Sequence, residues 1–142
     1  MRRAFLSLAL YALSVVSVFG LARHGLAFRN LTMEDGLLAN GVRNIVQDRY
    51  GFVWLGTDNG LCRYDGTAIH PFRIMENGTN QFVSALMADT EGLYVGTDKG
   101  VFFFHFLTEQ FERIAPEVNA TVRGFSQDKD GNVWISMDGR LI

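Results

Sequence analysis

One phrase is written three times along this chain. The first copy runs from Val42 to Leu61 and contains Asp48, Gly51, Trp54, Gly56, Thr57, Asp58 and Gly60. The second carries Val83, Asp89, Gly92, Tyr94, Gly96, Thr97, Asp98 and Gly100, and ends at Val101. The third carries Val122, Asp128, Gly131 and Trp134, and ends at Leu141. Tyr94 lies 40 residues after Trp54, and Trp134 lies 40 after Tyr94. A period of about 40 residues is the length of one four-stranded propeller blade. The expected fold is therefore all-β: an incomplete β-propeller of about two and a half to three four-stranded blades.

The local pattern agrees. In the first copy, Val42–Gln47, Phe52–Leu55, Leu61–Tyr64 and Ala68–Phe72 read as strands, divided by turns rich in Gly, Asn and Asp. In the second, the strands are Phe82–Ala88, Leu93–Val95, Val101–Phe106 and Phe111–Ile114. Its first hairpin is one residue shorter, a change that a turn can absorb. The third has Val122–Gln127 and Val133–Ser136, with its last strand and a half missing. The blades span approximately 42–72, 83–114 and 122–142. The aromatic at positions 54, 94 and 134 is expected to fill the wedge between neighbouring blades, since such a ring removes about 150–250 Å² from water. The stretch from Phe28 to Leu31 reads as a lone leading strand.

The N-terminus is separate. Arg2 and Arg3 precede an apolar run from Ala4 to Gly20, and small residues follow it. This is the order of a secretory signal, residues 1–22, cleaved after Ala22 or Ala27. The rival reading is an uncleaved anchor, since a span needs roughly 17–25 apolar residues. Both put residues 28–142 outside the cytoplasm. Net charge is -2, so nothing marks a nucleic-acid surface. Cys62 is the only cysteine, which excludes an internal disulfide and suits a small buried hydrophobe.

The stretch Leu31–Leu37, then Val42–Asp48, then Gly51–Leu61 and Arg63-Tyr64-Asp65-Gly66, resembles the two-component regulator propeller repeat. It is most similar to the first blade of the extracytoplasmic sensor region of bacterial hybrid two-component sensor histidine kinases. The resemblance covers residues 28–142; the second copy is looser, with Leu93-Tyr94-Val95 in the tryptophan segment. It implies an exported ligand-sensing region on the periplasmic side of the inner membrane. The ligand would be an oligosaccharide or another small molecule. The rest of such a sensor supplies an immunoglobulin-like connector, a membrane span and a kinase or cyclase output, with homodimerisation in the parent. No output machinery is seen here, and the chain reads as the front end of a longer phosphorelay sensor or as a truncated reading frame.

Candidate sites weigh toward structural roles. Asp128-Lys129-Asp130-Gly131-Asn132 has its glycine too early for a calcium loop and no distant glutamate, so a hairpin turn is expected. Asp58, Asp98 and Asp138, with Thr57 and Thr97, are expected to cap their own turns by bonding backbone amides. Repeated acids on one rim that bind a cation or sugar hydroxyls are the alternative. His24, His70 and His105 lack metal-ligand spacing, and no nucleophile elbow occurs. Phe102-Phe103-Phe104 and Phe106 read as core. The sequons at Asn30, Asn77 and Asn119 are set aside for a bacterial chain. Catalytic, cofactor and metal residues are therefore expected to be none, with ligand contacts unknown. A secreted propeller enzyme acting on glycans would need acids converging from several blades, and an interaction scaffold would use blade edges alone.

Overall fold

The computed structural model describes residues 28–76 and 78–142. The export-signal reading, its cleavage points and His24 lie outside the described residues. The chain divides into two compact units, Met1–Asn30 and Leu31–Ile142, and the fold below is that of the second. Among the described residues no helix is long and apolar enough to cross a membrane.

The first repeat forms β1 (Val42–Gln47), β2 (Val53–Thr57), β3 (Gly60–Tyr64) and β4 (Ile69–Phe72), an antiparallel sheet in chain order. A small hairpin of β5 (Met75–Glu76) and β6 (Thr79–Asn80) fills the connection to the next blade. The second repeat forms β7 (Val83–Ala88), β8 (Gly92–Thr97), β9 (Val101–His105) and β10 (Gln110–Arg113), again a four-stranded meander. The third forms β11 (Val122–Gln127), β12 (Val133–Met137) and β13 (Arg140–Leu141). β13 is the half-strand that remains where the last strand and a half of this blade are missing. Ile135 and Ile142 exchange backbone bonds of 2.7 and 3.0 Å, which continue the ladder. Residues 28–32 hold no strand, against expectation. Instead Thr32 caps a single 3-10 turn at Met33–Asp35, and Asp35 reaches back to the Thr32 amide at 2.8 Å.

Pairing registers show why the repeats superimpose. Trp54 opposes Val46, Tyr94 opposes Met87 and Trp134 opposes Ser126. The one-residue deletion in the second copy falls wholly in the β7–β8 turn, so no side chain changes face. Each first strand carries one register irregularity, between Val42 and Asn44, between Val83 and Ala85, and between Val122 and Gly124. The extra residues are Arg43, Ser84 and Arg123. A bulge re-aims the side chain that it carries.

The blades stack through their first strands, β7 lying between β1 and β11. Gly56 and Gly96 make this possible. A Cβ on Gly56 would stand 2.7 Å from Val83 Cγ1, and one on Gly96 only 2.5 Å from Val122 Cγ1. The second strand of each blade thus lacks a side chain where the next blade's first valine enters.

Trp54 is the wedge between blades one and two. It is 0% exposed and packs on Phe104 and Phe106 of the next blade, at 5.1 and 5.7 Å between ring centroids. Phe104 is fully buried and Phe102 nearly so, as expected of core, while Phe103 and Phe106 are only half-buried. Tyr94 does the same work less completely, meeting Phe125 of blade three at 5.9 Å. Trp134 does not fill a wedge here: it is 46% exposed, because no following blade covers it among the described residues. At the other end of the stack Ile45, aligned with Leu86 and Phe125, is 67% exposed.

Candidate functional site

In a four-stranded meander the second and fourth strands point the same way. The turns after β2, β8 and β12 therefore share an end of the stack with the connections leading to β7 and β11. The three repeated aspartates lie at this end.

Their roles differ from the expected turn caps. The turn bonds are made by the threonines. Thr57 Oγ1 donates to Gly60 O at 2.8 Å and accepts from Asn59 N at 3.1 Å; Thr97 does likewise with Gly100 and Lys99, both at 3.1 Å. The aspartate side chains reach instead for the bulged residue of the first strand. Arg43 Nε bonds Asp58 Oδ1 at 2.5 Å, and Arg123 bonds both oxygens of Asp138 at 2.7 and 3.0 Å. The Arg123 hydrogen bonds hold the Asp138 carboxyl below its ordinary range, and Asp138 in turn raises Arg123. The sequence signal for this pairing was an arginine 15 positions before the aspartate, present in copies one and three.

The middle blade breaks the pattern. Ser84 occupies the arginine position, and it does not reach Asp98. Ser84 Oγ and Asp98 Oδ1 are both buried without a hydrogen-bond partner. Beside Asp98 opens a cavity of about 470 Å³. Three segments build it: the β5–β6 hairpin with Glu76 and Asn80, the β8–β9 turn with Asp98 and Lys99, and the connection after β10 with Asn119. Gln81 is 4% exposed; its amide nitrogen donates to Thr79 O at 3.1 Å, while its Oε1 has no partner.

Arg113 ties the segments together. It pairs with Glu76, and its Nη2 donates to Lys99 O at 2.9 Å and Val118 O at 3.1 Å, yet its Nε is buried and unmatched. Asn80 fastens the hairpin to blade one, bonding Ile74 N through its oxygen at 2.8 Å and Asn59 O through its nitrogen. Buried polar atoms ordinarily find partners. Here several unmatched donors and acceptors, two acids and two bases surround one cavity. That suits a polar ligand rich in hydroxyl groups rather than an ion of one sign. Among the described residues no group of three or more His, Cys, Asp or Glu is placed to hold a metal.

The remaining candidates fall elsewhere. Asp128 closes its hairpin, Oδ1 accepting from the amides of Asp130 and Asn132 at 2.9 Å. Its Oδ2 takes Asn132 Nδ2 and Trp134 Nε1, each at 3.0 Å. Asn132 and then Trp134 contribute most to lowering its carboxyl to about 2. Asp48 binds Trp54 Nε1 in the same way at 2.8 Å. His70 and His105 pair singly with Asp65 at 2.8 Å and Glu112 at 2.9 Å. Cys62 is buried with Leu37, Leu38 and Leu55, and burial raises its thiol pKa. Asn77 lies outside the described residues.

Comparisons with known proteins agree with this architecture. The two-component regulator propeller family matches residues 36–59 and 116–139. The extracellular domain of the B. thetaiotaomicron protein BT4673 superimposes with a TM-score of 0.69 at 25% identity, over 75% of this chain. That protein is described as a one-component system in one structure and as a hybrid two-component system in another. The extracellular domain of the hybrid two-component system BT3049 from the same organism gives a TM-score of 0.64 at 23% identity, which speaks to the fold. A protein named histidine kinase P4 from Formosa agariphila is 39% identical over 57 residues, 40% of this chain. The chain spans about 15% of BT4673 and 4% of P4. Residues 36–59 and 116–139 thus match two-component regulator propeller repeats, and the blades have the architecture of propeller blades.

Proposed function

We propose that these two-component regulator propeller repeats form part of the ligand-sensing region of a bacterial signalling receptor, placed outside the cytoplasm. The observation that carries this reading is the superposition of the blade stack on the extracellular domain of BT4673, TM-score 0.69 across three quarters of the chain. The cavity beside Asp98 is where a ligand would act. Its walls belong to the connection into blade two, to blade two itself and to the connection into blade three. A small polar molecule or an oligosaccharide that satisfies Gln81, Asp98 and Arg113 at once would draw these segments together and fix the angle between blades. The rest of the receptor, a two-component-type output, would read that angle. The chain acts here as a binding element and not as an enzyme.

The test is calorimetric titration of neutral and acidic oligosaccharides against the purified chain, with Asp98→Ala and Ser84→Arg beside it. Ser84→Arg restores the ion pair of the other two blades and places a guanidinium against the cavity. Saturable binding lost in both variants supports the reading. Binding that survives both, or no binding across the panel, would remove this cavity from consideration.

A further inference from the structure

At the opposite end of the strands a second cleft, of about 670 Å³, opens along the seam between blades one and two. Its centre is Arg63 on β3. The Arg63 guanidinium lies over three rings, Phe52, Trp54 and Phe72, at 5.1, 5.6 and 5.3 Å from their centroids. Stacking of this kind pre-organises the planar fork that binds carboxylates. Its Nε is buried and has no partner. Its Nη1 bonds one group, Glu109 Oε1, at 2.8 Å. Glu109 comes from the tip of the β9–β10 hairpin in the next blade, with a side chain 48% exposed and a φ of 52°. Few non-glycine residues take that backbone conformation.

The surroundings supply a second surface. Tyr50 and Phe106 meet edge to face across the seam at 6.0 Å, and both line the cleft with Phe52. Arg49 and Arg63 line the cleft together with Glu91 and Asp48, and His105, paired with Glu112, completes the wall. Asp48 is consumed by Tyr50 N, Phe52 N and Trp54 Nε1 at 2.9, 3.0 and 2.8 Å.

We propose that this cleft binds a small carboxylate carried on a ring, its carboxylate on Arg63 in place of Glu109 and its ring against Tyr50 and Phe106. Glu109 already shows which group the fork takes. A half-exposed ion pair is weak, so a ligand carboxylate that also gains the aromatic contact displaces it. Release of Glu109 frees the hairpin tip of blade two from blade one. The site is independent of the Asp98 cavity at the other end of the strands.

The probe is benzoate, titrated into the ¹⁵N-labelled full chain, with benzyl alcohol as its uncharged counterpart. The two tryptophans report separately. The Trp54 indole, beneath Arg63, shifts and saturates with benzoate, while the Trp134 indole stays put. Benzyl alcohol leaves both unmoved. Arg63→Gln abolishes the shift. Glu109→Gln removes the internal competitor and lowers the half-saturating concentration about threefold. Glu109 is a surface residue, so this arm decides the matter even where Arg63→Gln fails to fold. Equal shifts with benzyl alcohol, no saturable shift with benzoate, or unchanged or weaker binding in Glu109→Gln would overturn the proposal.

Discussion

Trp54 and Trp134 form a matched pair that isolates what the next blade contributes. Both indoles donate to an aspartate six residues earlier, at 2.8 and 3.0 Å. One is fully buried under Phe104 and Phe106, and the other is 46% exposed. Trp54→Phe removes the donor and leaves an oxygen of the buried Asp48 without its indole partner. A hydrogen bond to a charged group is worth about 1.5–3 kcal/mol. The smaller ring also leaves a void of about two methylene groups, at about 0.8 kcal/mol each. The expected loss is about 3–5 kcal/mol. Trp134→Phe gives up the same bond where water can replace it, so about 1 kcal/mol or less is expected. Urea unfolding followed by far-ultraviolet circular dichroism gives both losses without using tryptophan as the probe. With slopes of about 1–3 kcal/mol per molar, the midpoint for Trp54→Phe should fall by about 1–5 M. That for Trp134→Phe should barely move. Equal losses, or a larger one at Trp134, would refute the claim that the wedge derives its stability from the neighbouring blade.

Three further outcomes follow from the same geometry. Gly96→Ala forces a Cβ against the buried Val122 and should cost about 1–3 kcal/mol by overpacking, whereas Gly66→Ala, with open space at the Cβ but a φ of 98°, should cost only its backbone strain; thermal melts compare the two. The Asp128 carboxyl, lowered to about 2, is charged and bonded in the fold above pH 4; the stability it adds is lost as pH falls from about 4 to 2. In Asp128→Asn that part of the acid dependence should vanish, which midpoints measured from pH 5 to 2 would reveal. Cys62, buried with its thiol pKa raised, should react with a disulfide reagent only as fast as the fold opens, and addition of urea should accelerate labelling; prompt labelling in buffer would contradict its burial.

Much of the blade plan was legible because its signals are local. The spacing of Asp48, Trp54 and Gly56 sets a hairpin, and its recurrence sets the stack. β1 and β11 begin and end where alternation and turn residues place them, and β7 differs by one residue. The bounds of β13 were not legible because Arg140-Leu141 is too short to carry a pattern of its own; the ladder extending from β12 makes it a strand. Residues 28–31 read as a strand from composition, but a strand needs an edge to pair with. The candidate site was less legible. The sequence marked Asp98 as one of three equivalent acids, yet its distinction is what it lacks. That became visible only when the bulges showed Arg43 and Arg123 reaching Asp58 and Asp138, with Ser84 in the corresponding place. The Arg63–Glu109 contact joins residues 46 apart in different repeats, and no local pattern announces it.

The wedge has a direction. Every blade offers an aromatic residue to its successor and an Ile, Leu or Phe to its predecessor, so the stack has unlike ends, as a polar filament does. Trp134 stands at one end and Ile45 at the other, both uncovered among the described residues. Contacts of this head-to-tail kind satisfy no symmetry on their own; they propagate until the last tail meets the first head. Ring closure and open-ended polymerisation thus draw on the same interface. The angle set at each Gly–Val entry point decides between them.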